Sequence, residues 1–477
     1  MPTSVLPSAA ADDATKDLHV KKTLDNGTKL MIVDDLNPED AAMLQALYSR
    51  SADSAEVHLD KVKKSGSSRF LENYVVGYGH RSIADCGTTT LFIEGVSLLA
   101  AKAVQDWPLY SGQETSTRYI DMGKQKIIDP VGTAESRAIL DAWMDFYSSN
   151  QGRVAEILVQ RYPKRDGEKD ETYARAIKAR TFDVLRGFLP AGITTQLSWH
   201  TNLRQAGDHL VSLVNHPAAE IADLGRALQA FLAERYPSSG FDRHVATVSD
   251  VGAKEGHEAR AAWEATVGRQ FAYNVEPSLR DDQMIFCGGP PIRVTYAEIL
   301  KTRPRGCVLP HFLSDLGQFT FEFLLDFGSF RDLQRHRNGV CRMPLLDLSY
   351  GFHPWYLEQL GDPANGDVGG LRDEAVELIN VQMPRIRALS PDSVVRSYYT
   401  ALGFRVPCQV TYALPALVYV MELRSGKTVH PTLRRQIHSM VRIFRENHPD
   451  VALHVDMDPD DWDVRRGDQT ITKLGGP

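Results

Sequence analysis

Ser111-Gly112-Gln113-Glu114-Thr115-Ser116-Thr117-Arg118-Tyr119 stands in the first half of this chain, and Arg335-His336-Arg337 stands in the second. The first string joins hydroxyls, a carboxylate and a guanidinium. The second sets three potential cations in a row. Their flanks run in parallel. Ahead of the first come Gly79-His80, Asp85, the β-branched run Thr88-Thr89-Thr90-Leu91-Phe92-Ile93 and a helical stretch from Ser97 to Trp107. Ahead of the second come His311, Asp315, the alternating run Phe319-Thr320-Phe321-Glu322-Phe323 and a helical stretch from Ser329 to Gln334. The order His, Asp, strand, helix, string is shared, which is the mark of a duplicated module.

The module ends also correspond. Asn202-Leu203-Arg204 and His216-Pro217 close the first half, and Glu422-Leu423-Arg424 and His430-Pro431 close the second. An amphipathic helix follows each. Ile221, Leu224, Leu228, Phe231 and Leu232 form one apolar stripe, and Leu433, Ile437, Met440, Val441 and Phe444 form the other. Between them, Ser238 to Gly289 is polar and charged. The sequence therefore predicts an α+β protein of two tandem modules, 20–242 and 243–477, each a mixed or antiparallel sheet packed with helices. Residues 1–19 are polar, rich in Ala and Asp, and read as a disordered tail.

The chain has 477 residues, 43% hydrophobic and 24% charged, which is ordinary globular material for two or three domains. No apolar run approaches the length of a membrane span. A net charge of −7 argues against a nucleic-acid binder held by bulk charge. Five widely spaced cysteines with no CxxC pair predict neither a disulfide framework nor a metal site, and fit a reducing cytoplasm. Dinucleotide, Walker and nucleophile-elbow signatures are absent.

On residues alone, the charged clusters stay open between ligand cradle and structural role. Arginine's planar fork suits phosphate and carboxylate, but a surface arginine cluster is often only solvated. Ser116 and Arg118, two apart, can share one side of an extended segment or merely sit in a polar turn. Arg186, inside Leu185-Arg186-Gly187-Phe188-Leu189-Pro190, needs a partner, whether protein or ligand. Asn202 can be an N-cap, and His80 after Gly79 can close a helix.

Together these residues resemble the flavin-dependent thymidylate synthases, in which the two strings stand side by side in one copy. In the first half the likeness runs from about Leu30 to Pro237, and in the second, more weakly, from about Ile292 to Pro449. The resemblance implies that reduced FAD and methylenetetrahydrofolate convert dUMP to dTMP, with NADPH reducing the flavin, on a homotetramer with sites at subunit interfaces. It implies that Ser116 and Arg118 serve catalysis, and that Glu114, Ser116, Arg118 and Arg186 hold the pyrimidine nucleotide. It places His80, Asp85, Asn202, Arg204, Arg335, His336, Arg337 and Asn338 on the flavin.

The departures divide the site. Asp106-Trp107-Pro108 stands where the family has Arg-His-Arg, and nothing after Arg337 supplies Ser-x-Arg-Tyr. Asp332 replaces the family's glutamine, and an arginine expected late in the first-half helix is missing near Leu213-Val214. The expectation is a composite site built from both modules, on a homodimer that forms a pseudo-tetramer. The alternatives are a silent homologue that binds flavin or nucleotide as a scaffold or sensor, and a modifier of another pyrimidine compound.

Overall fold

The computed structural model describes residues 19–34, 36–71, 81–241, 283–288, 296–361 and 370–462. His80, residues 1–18 of the expected 1–19 tail and most of the segment between the two expected modules lie outside the described residues, while His19, the last residue of that expected tail, opens a strand instead. The fold is α+β. The chain divides into two compact units. One comprises Met1–Thr89, Asn202–Asp208 and Gln229–His244; the other comprises Thr90–Thr201, His209–Leu228 and Val245–Pro477.

In the first unit, β1 (His19–Thr23) pairs antiparallel with β2 (Lys29–Val33), Lys21 facing Met31. Helix α1 (Pro38–Tyr48) follows. Asn37 caps it by accepting the Asp40 N–H at 3.0 Å, and Pro38 takes the first helical position, where no backbone donor is needed. Helix α2 (Ala55–Ser65) turns Leu59 and Val62 onto Met43 and Leu44 of α1. A six-residue 3-10 turn, Arg81–Cys86, then carries Asp85. Gly87 ends it under close contact, since a Cβ there would lie 2.2 Å from the Pro38 carbonyl oxygen.

Strand β3 (Thr88–Ser97) enters the second unit, and α3 (Leu98–Gln105) follows, capped by Ser97 Oγ. After two helices (Ala134–Ser149 and Gln151–Arg161) and α4 (Asp170–Leu185), β4 (Thr194–Asn202) pairs with β3 and leads into α5 (Leu203–Val214). A four-stranded antiparallel sheet has the order β5 (Ile285–Cys287), β6 (Gln318–Asp326), β8 (Arg405–Ala413), β7 (Gly339–Arg342). β6 alternates as its sequence predicts, burying Phe319, Phe321 and Phe323. Helix α6 (Phe327–Leu333) follows β6; α7 (Leu414–Arg424) and α8 (Pro431–Asn447) follow β8. The predicted stripe Leu433, Ile437, Met440, Val441 and Phe444 is wholly buried, whereas Phe231 of the first-half stripe is exposed.

One succession of elements occurs twice. Arg81–Cys86, Gly87, β3 and α3 match His311–Leu316, Gly317, β6 and α6, down to the side-chain cap on each helix. Later, β4 and α5 match β8 and α7. The expected pairing of Asn202-Leu203-Arg204 with Glu422-Leu423-Arg424 fails: the first string opens its helix and the second closes one. Both are short Leu-Arg strings near a helix, and the strand start, which fixes the register, is not visible in them.

Within the second unit, the segments ahead of β4 and β8 pair antiparallel. Pro190 and Ala401, each four residues before its strand, face each other. The Ala191 N–H donates to the Thr400 carbonyl at 3.0 Å, and the Leu402 N–H donates to that of Leu189 at 2.9 Å. These are one bond read in two directions, as at an isologous interface.

Candidate active site

The second string sits where α6 runs out. Asp326 caps α6 through the Ser329 N–H, the helix ends at Leu333, and the His336 N–H returns to the Leu333 carbonyl. That turn delivers Arg335, His336, Arg337 and Asn338 to one wall of a cavity of about 620 Å3. Tyr412 and Tyr419 supply ring surface, and Pro108, Leu109 and Tyr110 of the first half close another wall. The volume falls in the range of about 300–1,000 Å3 usual for small-molecule sites. Arg335 is exposed, and the Arg337 guanidinium lies 4.8 Å from the centre of the Tyr110 ring, in cation–π range. Tyr110 is held by its hydroxyl, which donates to the Ser198 carbonyl at 2.6 Å. Burial, reinforced by Glu114, pushes its phenol up to about 12.

His336 is neutral here. Burial, and then the positive charge of Arg424, push its imidazole down to about 3. The Arg424 Nε–H donates to His336 Nε2 at 2.7 Å, and Arg424 Nη2 donates to the Asp332 carbonyl at 2.8 Å.

The first string runs beside β4, bridged at Ser111–His200 and Glu114–Leu197. Gly112 permits this, because a Cβ there would lie 2.0 Å from the Ser198 carbonyl oxygen. The string then turns at Ser116, whose Oγ accepts the Arg118 N–H at 3.2 Å. Its charged groups are engaged across the chain. Glu114 meets Arg331 at 2.5 Å and accepts from Gln105 at 2.7 Å. Arg118 forks onto Asp183 of α4, at 2.8 and 3.1 Å, and donates to the Thr428 carbonyl at 3.1 Å. Arg186 is fully buried and donates to Ser329 Oγ at 2.9 Å. Burial pushes the Asp183 carboxyl up, against the pull of Arg118, Arg186 and Arg180. For Asp332, burial acts in the same upward sense, but Arg118, Arg186, Arg424 and Arg335 hold its carboxyl below the ordinary range.

The predicted site residues thus fall into three groups. Arg335, His336, Arg337 and Asn338 share the cavity wall. Glu114, Ser116, Arg118 and Arg186 lie among the ion pairs and hydroxyls that join the two halves. Asp85 and Arg204 pair at 2.7 Å in the other unit, where Asn202 accepts the Gln205 N–H at 2.8 Å, as an N-cap does. Asp106 is not a bare anion: it caps α3 and pairs with Lys102 at 3.0 Å.

Asp183, Arg331, Tyr110 and Tyr419 escaped the sequence reading, and Arg424 entered it only as a module-end landmark, with no role at the site. Arg424 had a signal. Counted from its strand, it occupies in α7 the place that Leu213 holds in α5, so the late-helix arginine missing from the first half stands in the second. Asp183 had none, as one carboxylate in an amphipathic helix.

Arginines, a histidine and tyrosines around one cavity give a lining whose chemistry suits an anionic or heteroaromatic small molecule. Residues 31–238 match the family described as thymidylate synthase complementing protein. It is also similar to a UPF0159 protein of Chlamydia pneumoniae, 25% identical over 85% of this chain and 83% of the relative. A UPF0159 protein of Thermoplasma acidophilum is 23% identical over 87% of this chain and 94% of the relative.

Proposed function

We propose that this chain is a flavin-dependent enzyme of thymidylate-synthase type, which transfers one carbon to C5 of a pyrimidine nucleotide such as dUMP. The supporting observation is the composite cavity. Tyr110, just ahead of the first string, and Arg335-His336-Arg337 of the second face one space, with the family match on the first half. The residues fit FAD: two guanidiniums suit its phosphates, and Tyr110, Tyr419 and the neutral His336 suit a flat ring. Bound there, FAD would pass electrons from NADPH to the methylene group carried by methylenetetrahydrofolate. Arg335 and Arg337 would orient the cofactor, and Tyr110 and Tyr419 would shield the ring from water.

On this reading the chain is a tandem duplication, 20–242 and 243–477, as the twice-repeated succession of elements and the mutual pairing at Pro190 and Ala401 support. Two chains would assemble as a pseudo-tetramer in the cytoplasm. Among the described residues no helix is long and apolar enough to cross a membrane. Substrate would have to compete with Asp183 for Arg118.

That competition favours a second reading, a flavin or nucleotide binder without one-carbon chemistry. The test is purification of the full chain, followed by flavin absorbance and NADPH oxidation with dUMP and methylenetetrahydrofolate. Yellow protein that forms dTMP supports the enzyme. Yellow protein without dTMP supports the binder, and colourless protein with affinity for neither FAD nor dUMP overturns both. In the enzyme, Arg335→Ala and Ser116→Ala should each lose flavin-linked activity.

A further inference from the structure

We infer that Arg424 is a positioning residue that fixes His336 as the neutral imidazole with its proton on Nδ1, so that the cavity presents one directed hydrogen-bond donor beside two arginines. A guanidinium has only N–H donors. With Arg424 Nε 2.7 Å from His336 Nε2, that nitrogen must offer its lone pair, and the single ring proton must sit on Nδ1. An imidazolium would set N–H against N–H. Nδ1 has no hydrogen-bond partner among the described residues, and His336 lines the cavity. Arg424 cannot swing away cheaply, because its Nη2 is tied to the Asp332 carbonyl at 2.8 Å.

The charges around His336 agree from each side. Arg335 and Arg337 flank it on its own turn, Arg424 reaches it from α7, and the Asp332 carboxylate at the end of α6 is the opposing anion. Tyr419 of α7 meets the ring edge to face at 6.0 Å, and Cys341 Sγ lies 3.8 Å from the His336 carbonyl oxygen. Three cations against one anion resist a further proton. The ligand that suits this wall carries an anionic group for Arg335 and Arg337 and, on its ring, a hydrogen-bond acceptor. A carbonyl oxygen or an unprotonated ring nitrogen satisfies Nδ1–H; a ring N–H donor does not.

The choice of ring ligand rests on the flavin reading above, but the tautomer does not. The experiment is 15N NMR of histidine-labelled full chain without ligand, with His336 assigned by its loss in His336→Phe. The wild type should show His336 as the Nδ1–H form with no protonation between pH 7 and 5. In Arg424→Gln the ring should become a tautomer mixture and take up a proton at higher pH than in the wild type, though still below the ordinary imidazole range because burial remains, with FAD affinity about tenfold weaker. Arg424→Lys keeps the charge without the planar fork and should recover only part of each effect. Wild-type His336 that is Nε2–H, or that titrates near 6.5, overturns the inference, as does unchanged behaviour in Arg424→Gln. The expected spectrum without FAD affinity upholds the lock and overturns the flavin reading instead.

Discussion

At the scale of single residues, the cluster around Asp183 is the most exacting. Its carboxylate takes the Arg118 fork, and Arg180 and Arg186 stand near it. Removing one partner of a buried pair leaves an uncompensated charge, at a cost of about 3–5 kcal/mol. Asp183→Ala should therefore lower the unfolding free energy by about that much. Chemical denaturation would show it, and a loss below about 1 kcal/mol would mean that water reaches the arginines. His209 makes a different demand. It is buried, stacks on Trp107 with ring centres 4.8 Å apart, and has Nε2 2.9 Å from the Val104 carbonyl oxygen. Burial pushes its imidazole down to about 4. Between pH 6.5 and 4 the unfolded chain binds a proton at this residue that the folded chain refuses. Its contribution is complete at pH 7 and falls away as the solution is acidified, by about 1.4 kcal/mol per pH unit. His209→Gln should lose less stability than the wild type between pH 7 and 5, and parallel losses would count against burial as the cause.

At the scale of elements, each string depends on a glycine, the first on one within it and the second on one just after it. Gly112 lets the first string lie against β4. Gly339 opens β7 just after the second, where a Cβ would lie 2.5 Å from the Thr411 carbonyl oxygen. In both cases the obstacle is backbone, which cannot rotate aside. Gly112→Ala and Gly339→Ala should each lower the melting temperature by several degrees, as a loss of roughly 1–3 kcal/mol would. If Gly339→Ala melts with the wild type, β7 is free to shift at its edge. Element order was largely legible in the sequence, because period-2 alternation at Phe319 to Phe323 and the α8 stripe are local signals. The register between halves was not. A Leu-Arg string looks alike at the start of α5 and the end of α7, and only the strand that precedes each tells them apart. The cavity was half legible. Arg335-His336-Arg337 announced a cationic wall, but Tyr110 and Tyr419 reach it through the fold, and an isolated tyrosine carries no pattern.

At the scale of the molecule, the larger unit is built from both halves of the chain. Its backbone is stitched at Leu189–Leu402, Pro190–Ala401 and Ala191–Thr400, and its charges at Arg118–Thr428, Glu114–Arg331 and Arg186–Ser329. Trp143 of the first half donates to the Tyr399 carbonyl of the second at 3.0 Å. Sequence modules and folding units need not coincide. A module whose buried arginine is satisfied by a hydroxyl from the other module gains little by folding ahead of it. The halves of this unit should therefore unfold as one. In variants retaining only Trp143 or only Trp355 as fluorophore, guanidinium chloride transitions should share midpoint and slope. Two separated transitions would show that each module holds its own core, and that the ion pairs between them are contacts formed after folding rather than part of it.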